Sequence, residues 1–189
     1  MKFAQSFALA ASVSILVASC ADDLSLSPKY GLTAEQVYSD PNNYANVLAK
    51  IYAGLSISGN NGPAGMPDIG GIDEGFSQYV RVMWNLQQLP TDESICGWAD
   101  PGIPELNTMD WNDNSPFVSA MYYRIYYQIS LANEFIRYSS EDYLVGTDFS
   151  EADKGAIRQM NAEARYLRAL SYYHALDLFG NVPFADETV

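Results

Sequence analysis

The sequence predicts a mostly α fold that contains one long irregular region. Apolar residues recur at helical spacing in several segments, and these segments begin at residues typical of helix N-termini. Between residues 56 and 116 this periodicity is lost and glycine and proline are frequent. A hydrophobic content of 48% excludes wholesale disorder, and 189 residues suit one domain or part of a larger one.

Two short signals predict the first helices. Thr33 and Gln36 have the spacing of a capping box, which opens a helical turn. Asp40-Pro41 predicts a second helix start, with Asp40 as N-cap and Pro41 in the first helical position. The apolar face of that helix comprises Tyr44, Val47, Leu48, Ile51, Tyr52 and Leu55.

Two longer helices are predicted to form an antiparallel hairpin over residues 117–180. The first opens at Ser115-Pro116, and the second begins at Ser150 and ends before Gly180, a residue suited to a C-cap. Their core positions are Val118, Met121, Tyr122, Ile125, Ile129, Ala132 and Ile136 on the first helix, and Ile157, Met160, Ala164, Leu167 and Leu170 on the second. Hairpins of this size are the unit that tetratricopeptide-type solenoids stack.

The irregular region, residues 56–116, is the place where the sequence predicts a functional site. A loop of this length inside a compact domain is uncommon unless it carries function. We expect one helical piece within it, over Gln78 to Gln88. Trp84 and Trp111 are expected to belong to the core.

The N-terminus has the pattern of a lipoprotein export signal over residues 1–19. Lys2 precedes the apolar run Phe7 to Val17, which is shorter than the ~20 residues that a membrane span needs. Residues 16–20, Leu-Val-Ala-Ser-Cys, resemble the bacterial lipobox, which predicts cleavage before Cys20 and acylation of its thiol. Residues 20–39 then form a lipidated cysteine and tether. The alternative is an ordinary secretory signal with an incidental cysteine.

Composition narrows the classes of function. The formal net charge of −13 disfavours nucleic-acid binding and leaves affinity for neutral ligands unaffected. With Cys20 acylated, Cys96 has no partner for a disulfide, and the single histidine stands in no metal-ligand pattern. The sequence contains no nucleophile elbow or phosphate-binding glycine loop, so we expect neither an enzyme nor a bound cofactor or metal. The 14 tyrosines and 3 tryptophans suit both helix cores and sugar-binding surfaces.

Several segments of the chain have distinctive motifs. Residues 161–170 are Asn-Ala-Glu-Ala-Arg-Tyr-Leu-Arg-Ala-Leu, followed by Leu-Phe-Gly-Asn-Val-Pro-Phe at 178–184. Further motifs are Leu-Pro-Thr-Asp-Glu at 89–93 and Ile-Ser-Leu-Ala-Asn at 129–133. Together they resemble the SusD/RagB family, the surface glycan-binding lipoproteins of Bacteroidetes, with 161–170 as the family's hallmark segment. The acidic pair Asp22-Asp23 looks like the signal that sends such lipoproteins to the outer face of the outer membrane.

The resemblance implies a SusD-like fold of tetratricopeptide-type hairpins and the role of a lid on a TonB-dependent, SusC-like transporter. The protein would capture oligosaccharides or polysaccharides, with starch and maltooligosaccharides favoured. It would be lipid-anchored to the cell outer membrane and face the cell exterior. Because family members are longer, we expect the chain to be an N-terminal portion. The alternatives are a structural or adhesive surface lipoprotein and a truncated, non-functional fragment.

The resemblance also implies a binding site. Asp73, Arg81 and Trp98 resemble the residues with which the starch-binding branch contacts a helical α-glucan. Trp98 would stack on a pyranose face, and Arg81 and Asp73 would hydrogen-bond sugar hydroxyls. That branch has an asparagine three residues beyond the tryptophan, where this chain has Pro101 with Asp100 beside it. The alternative is that Trp98 and Arg81 pack the loop.

In the same family hallmark, Arg165 and Arg168 are expected to bridge carboxylates or cap carbonyls, and His174 to be a packed helix residue. The acidic pair Asp92-Glu93 is open to two readings, since it could pair with Arg81 or another cation or bind calcium, and one pair does not specify calcium.

The lipobox yields the first testable prediction. Cys20→Ala removes the thiol that takes the lipid, so the protein should lose its association with the membrane. Cell fractionation and immunoblotting measure this, with Cys96→Ala as the matched control that keeps the anchor. Continued fractionation of Cys20→Ala with the outer membrane would show that the lipoprotein interpretation is wrong.

Overall fold

The computed structural model describes residues 31–59 and 68–188, which divide after Ser39 into two compact units. In the first unit, helix α1 spans Ala34–Tyr38. The predicted capping box is present, since Thr33 Oγ1 accepts from the Gln36 N–H at 3.3 Å and Gln36 Oε1 accepts from the Thr33 N–H at 2.9 Å. The predicted signal peptide, Cys20 and the acidic pair Asp22-Asp23 lie outside the described residues.

The second unit is built from helices, which confirms the mostly α fold class. These are α2 Asn43–Ala53, α3 Tyr79–Gln88, α4 Ile103–Thr108, α5 Pro116–Tyr138, α6 Glu141–Val145 and α7 Glu151–Phe179, with a 3-10 helix over Glu74–Phe76. Residues 31–59 and 68–188 contain no strand. Within those ranges, no helix combines the length and hydrophobicity that crossing a bilayer requires.

Helices α5 and α7 form the antiparallel hairpin that the sequence predicts, and theirs is the most extensive helix contact. Near the start of α5, the Tyr122 ring lies 5.5 Å from that of Phe179 at the end of α7. Beyond the end of α5, Ser139 Oγ accepts from Asn161 Nδ2 at 2.7 Å. The α2 helix packs against both long helices, and α3 packs against α5.

Both ends of α7 lie where local sequence signals place them. Ser150 is the N-cap, with its hydroxyl accepting from the Asp153 N–H at 3.2 Å. Gly180 ends the helix at φ 69°, a positive φ that a residue with a side chain rarely adopts. Because such caps depend on residues a few positions apart, the sequence alone identifies them.

Three local predictions need correction. Tyr122, predicted as a core position of the first long helix, is 36% exposed. The α2 helix begins at Asn43 with Asn42 as its N-cap, so the prediction of Asp40 as N-cap is wrong. The Asp40 carboxylate instead accepts from the Asn42 N–H at 2.9 Å and closes a turn that precedes the helix. The irregular region also contains α4 and the 3-10 helix, which are too short to show periodicity in the sequence.

The polar residues of the hallmark segment stabilise the hairpin. Arg168 donates to Asn133 Oδ1 at 2.7 Å and pairs with Glu187, which Arg165 also approaches, as expected for bridging cations. His174 is a packed residue, with Nδ1 2.9 Å from the buried Tyr79 hydroxyl. Burial lowers the pKa of His174 and raises the pKa of Tyr79 to about 12, and both shifts favour the uncharged side chain.

A buried cation on α5 joins the irregular region to the helices. Arg124 is 5% exposed and makes a bidentate ion pair with Asp68, with nitrogen–oxygen distances of 2.9 and 2.7 Å. Its guanidinium also donates to the carbonyls of Ser77 at 2.6 Å and Ser58 at 2.8 Å. A buried charge needs such partners to offset its lost hydration. One side chain therefore holds three separate stretches of the loop region.

Removing this cation should destabilise the fold. Arg124→Met keeps much of the side chain's bulk but leaves Asp68 and two carbonyls without their donor. We expect the free energy of unfolding to fall by about 3–5 kcal/mol, as measured by urea denaturation. The matched control is Arg158→Met, which breaks an exposed ion pair with Glu141 and should leave the urea midpoint nearly unchanged. Equal effects of the two substitutions would show that the Arg124 network does not anchor the loops.

Candidate functional site

A cleft of about 720 Å³ is lined by α3 and by the non-helical segment at 95–98. Val80, Arg81 and Trp84 of α3 line one side, and Ile95 and Trp98 of the segment also line it. Its lining is completed by Leu55, Ser56, Phe76, Gln78, Asn85, Leu89 and Cys96. The predicted site residues Arg81 and Trp98 therefore share one concave surface.

The centre of the cleft is an aromatic and cationic cluster around Phe76. The indole of Trp98 meets the Phe76 ring edge to face, with centroids 5.4 Å apart. The Arg81 Cζ lies 4.9 Å from the Phe76 centroid and 5.9 Å from the Trp98 ring, within the range of cation–π attraction. Phe76 itself is buried and packs on Phe117 at 5.6 Å. A core residue thus supports both predicted binding side chains.

Local hydrogen bonds hold the parts of the cluster in place. The Asp73 carboxylate caps the 3-10 helix by accepting from the Gly75 N–H at 2.8 Å, which positions Phe76 at the end of that helix. On the other side, Asn107 Nδ2 donates to the Cys96 carbonyl at 2.9 Å. This bond ties the segment that carries Trp98 to α4.

The four predicted ligand-binding residues divide between two pockets. Asp73 and Asp100 line a smaller pocket of about 270 Å³, together with Pro101. Phe76 borders both this pocket and the larger cleft. The structure therefore pairs Arg81 with Trp98, and Asp73 with Asp100, on separate concave surfaces that meet at Phe76.

All three tryptophans are exposed and lie outside the core. Trp98 is 57% exposed, Trp84 50% and Trp111 44%, so the expectation that Trp84 and Trp111 belong to the core is wrong. Trp84 lines the cleft, whereas Trp111 does not. The position of Trp84, three residues after Arg81, was a usable signal, because residues at that spacing share one helix face.

Phe76 and Asn85 are the other residues that sequence reasoning missed. Nothing in the local pattern distinguishes Phe76 from an ordinary core residue, because its role comes from contacts with Arg81, Trp98 and Phe117. Asn85 is only 3% exposed, and its Nδ2 has no hydrogen-bond partner in the part of the chain that the structure describes. An unpaired buried donor of this kind costs about 1–3 kcal/mol.

The lining of the cleft suits a neutral ligand that has an apolar face and polar edges. An exposed indole offers a flat surface for stacking, and a guanidinium offers several N–H donors beside it. Asp92 and Glu93 are exposed, and neither forms an ion pair with Arg81 among the described residues. Within residues 31–59 and 68–188, no three His, Cys, Asp or Glu side chains cluster as a metal site.

Sequence comparisons identify the family. No family model matches the chain. It is 37% identical over 182 residues to the starch-binding protein SusD of Bacteroides thetaiotaomicron, a match that covers 96% of this chain and 30% of that protein. It is also 32% identical over 85 residues to SusD-like protein P2 of Formosa agariphila, covering 45% of this chain and 15% of that protein. The chain belongs to the SusD family and spans less than a third of the length of these relatives.

The contacts of Phe76 predict that it sets the orientation of Trp98. Phe76→Leu keeps the site apolar but removes an edge-to-face pair, and such pairs contribute about 0.5–1.5 kcal/mol beyond their buried area. With Trp84 and Trp111 replaced by Phe, Trp98 is the sole tryptophan emitter. We expect acrylamide to quench its fluorescence more strongly in the Phe76→Leu variant, because the indole is held less firmly.

The matched control for this measurement is Phe135→Leu. Phe135 is equally buried but packs on Tyr44, away from the cleft. It should lower stability without changing the quenching of Trp98. If both substitutions alter the quenching alike, Phe76 has no special role in supporting the indole.

Proposed function

We propose that this chain belongs to a surface lipoprotein that binds oligosaccharides through Trp98 and Arg81 and passes them to a transporter. The observation that carries the proposal is the half-exposed Trp98 indole in a cleft, with the Arg81 guanidinium 5.9 Å from its ring. A pyranose ring has an apolar C–H face and a rim of hydroxyls. The indole matches the face, and the guanidinium can donate to the hydroxyls.

Charge supports a neutral glycan over an anionic ligand. The chain carries 23 acidic and 10 basic residues, so its field repels phosphate and carboxylate groups at a distance. A neutral oligosaccharide does not experience that repulsion. Starch or a maltooligosaccharide is the favoured ligand, since the relative that matches 96% of this chain is named a starch-binding protein.

The proposed role is to capture a glycan, and this role requires no catalysis. The relatives are named as a binding protein and as a SusD-like protein. A hydrolase would release reducing sugar from starch, whereas a capture protein leaves the glycan intact. Assay of reducing ends after incubation with starch separates the two.

The location and partner in this proposal come from the sequence motifs. Acylation at Cys20 would anchor the protein to the outer membrane, and the acidic pair Asp22-Asp23 would direct it to the cell exterior. There it would act as the lid of a TonB-dependent, SusC-like transporter. Copurification of such a transporter with the tagged lipoprotein from outer membranes tests this part separately from sugar binding.

The binding proposal predicts a specific effect of Trp98→Ala. Loss of one stacking surface costs roughly 1–3 kcal/mol by analogy with bases stacked on aromatic side chains. The dissociation constant for maltoheptaose, measured by titration calorimetry on the full chain, should rise about tenfold or more. Circular dichroism should stay nearly unchanged, because the indole is largely exposed.

The matched control is Trp111→Ala, which removes an exposed indole that does not line the cleft. It should leave the affinity unchanged. Loss of helical signal in Trp98→Ala without a specific loss of affinity would mean that Trp98 packs the loop. Such a result would favour a structural or adhesive surface protein.

A further inference from the structure

The cleft contains a second exposed indole, that of Trp84. Trp84 is 50% exposed and lies on α3, three residues after Arg81. Side chains at that spacing are neighbours on one helix face. Arg81 therefore has Trp84 beside it along α3, and its guanidinium lies 5.9 Å from the Trp98 ring in the same cleft.

Three side chains of the cleft supply two kinds of contact. The indoles of Trp84 and Trp98 offer apolar faces, and the Arg81 guanidinium offers hydrogen-bond donors. Successive units of an oligosaccharide present matching groups, since each ring has a C–H face and neighbouring rings are bordered by hydroxyls. A single sugar ring covers one indole and leaves the other exposed to water.

Two further residues favour an extended ligand. Val80 and Ile95 line the same cleft and are also largely exposed, so the apolar surface is larger than one stacked ring requires.

We propose that Trp84 stacks a second sugar unit of the oligosaccharide whose first unit lies on Trp98. This inference rests on the proposed function, because it takes the Trp98 site as its starting point. Its consequence is selection by length. The cleft prefers oligosaccharides over single sugars, since one ring covers one indole and a longer chain offers a ring to each.

The test compares a short and a long ligand on the full chain. Glucose and maltoheptaose are titrated calorimetrically against the wild type, Trp84→Ala, Trp98→Ala and the control Trp111→Ala. We expect Trp84→Ala to weaken maltoheptaose binding about tenfold and to leave glucose binding within about twofold of the wild type. Trp98→Ala weakens both ligands, and Trp84→Phe retains part of the affinity for the longer one.

The results distinguish failure of the second subsite from failure of the proposed function. If Trp98→Ala weakens binding and Trp84→Ala changes neither ligand, the second subsite does not exist although the glycan function stands. Equal weakening of both ligands by Trp84→Ala would also overturn it, because Trp84 would then belong to the first subsite. If the wild type binds neither sugar, the proposed function fails and this inference fails with it. Urea denaturation of each variant verifies that the fold is retained.

Discussion

The buried guanidinium of Arg124 is the interaction on which the arrangement of the irregular region depends. Loops rich in glycine and proline have no repeating hydrogen-bond ladder of their own, so their positions must come from outside them. Arg124 provides this by binding Asp68 and the carbonyls of Ser58 and Ser77 from a position on α5. Ser77 directly follows Phe76, the residue that supports the cleft. The long helix therefore fixes the position of Phe76 through the bond from Arg124 to the Ser77 carbonyl.

Phe76 is the point where the core and the site meet. Its ring belongs to the hydrophobic core through Phe117, and it also contacts the exposed Trp98 and the Arg81 guanidinium. An exposed indole that rests on a buried ring loses little further conformational entropy when a ligand stacks on it. This preorganisation is a reason for a binding tryptophan to sit beside the core instead of at the tip of a loop.

The family hallmark and the candidate site have different physical roles. Residues 161–170 lie within α7, where they pack against α5 and hold the segment that follows the helix. Arg168 pairs with Glu187, and the Tyr172 hydroxyl donates to the Ala185 carbonyl at 2.7 Å. These contacts stabilise the hairpin, while the side chains proposed to bind sugar lie on α3 and on the segment at 95–98. The motif that identifies the family therefore stabilises the scaffold, and the side chains proposed to bind sugar lie elsewhere in the chain.

The sequence by itself determined the fold class, the capping box at Thr33, both ends of α7 and the pairing of the two long helices. These features depend on residues a few positions apart or on a repeating apolar stripe, so local chemistry is sufficient to predict them. The tertiary structure alone decided that Trp84 faces a cleft, that Asp73 and Asp100 share a pocket apart from Trp98, and that Phe76 joins the two. Each of these depends on side chains that are distant in sequence and are brought together by packing, because periodicity defines the faces of a helix but not what covers them.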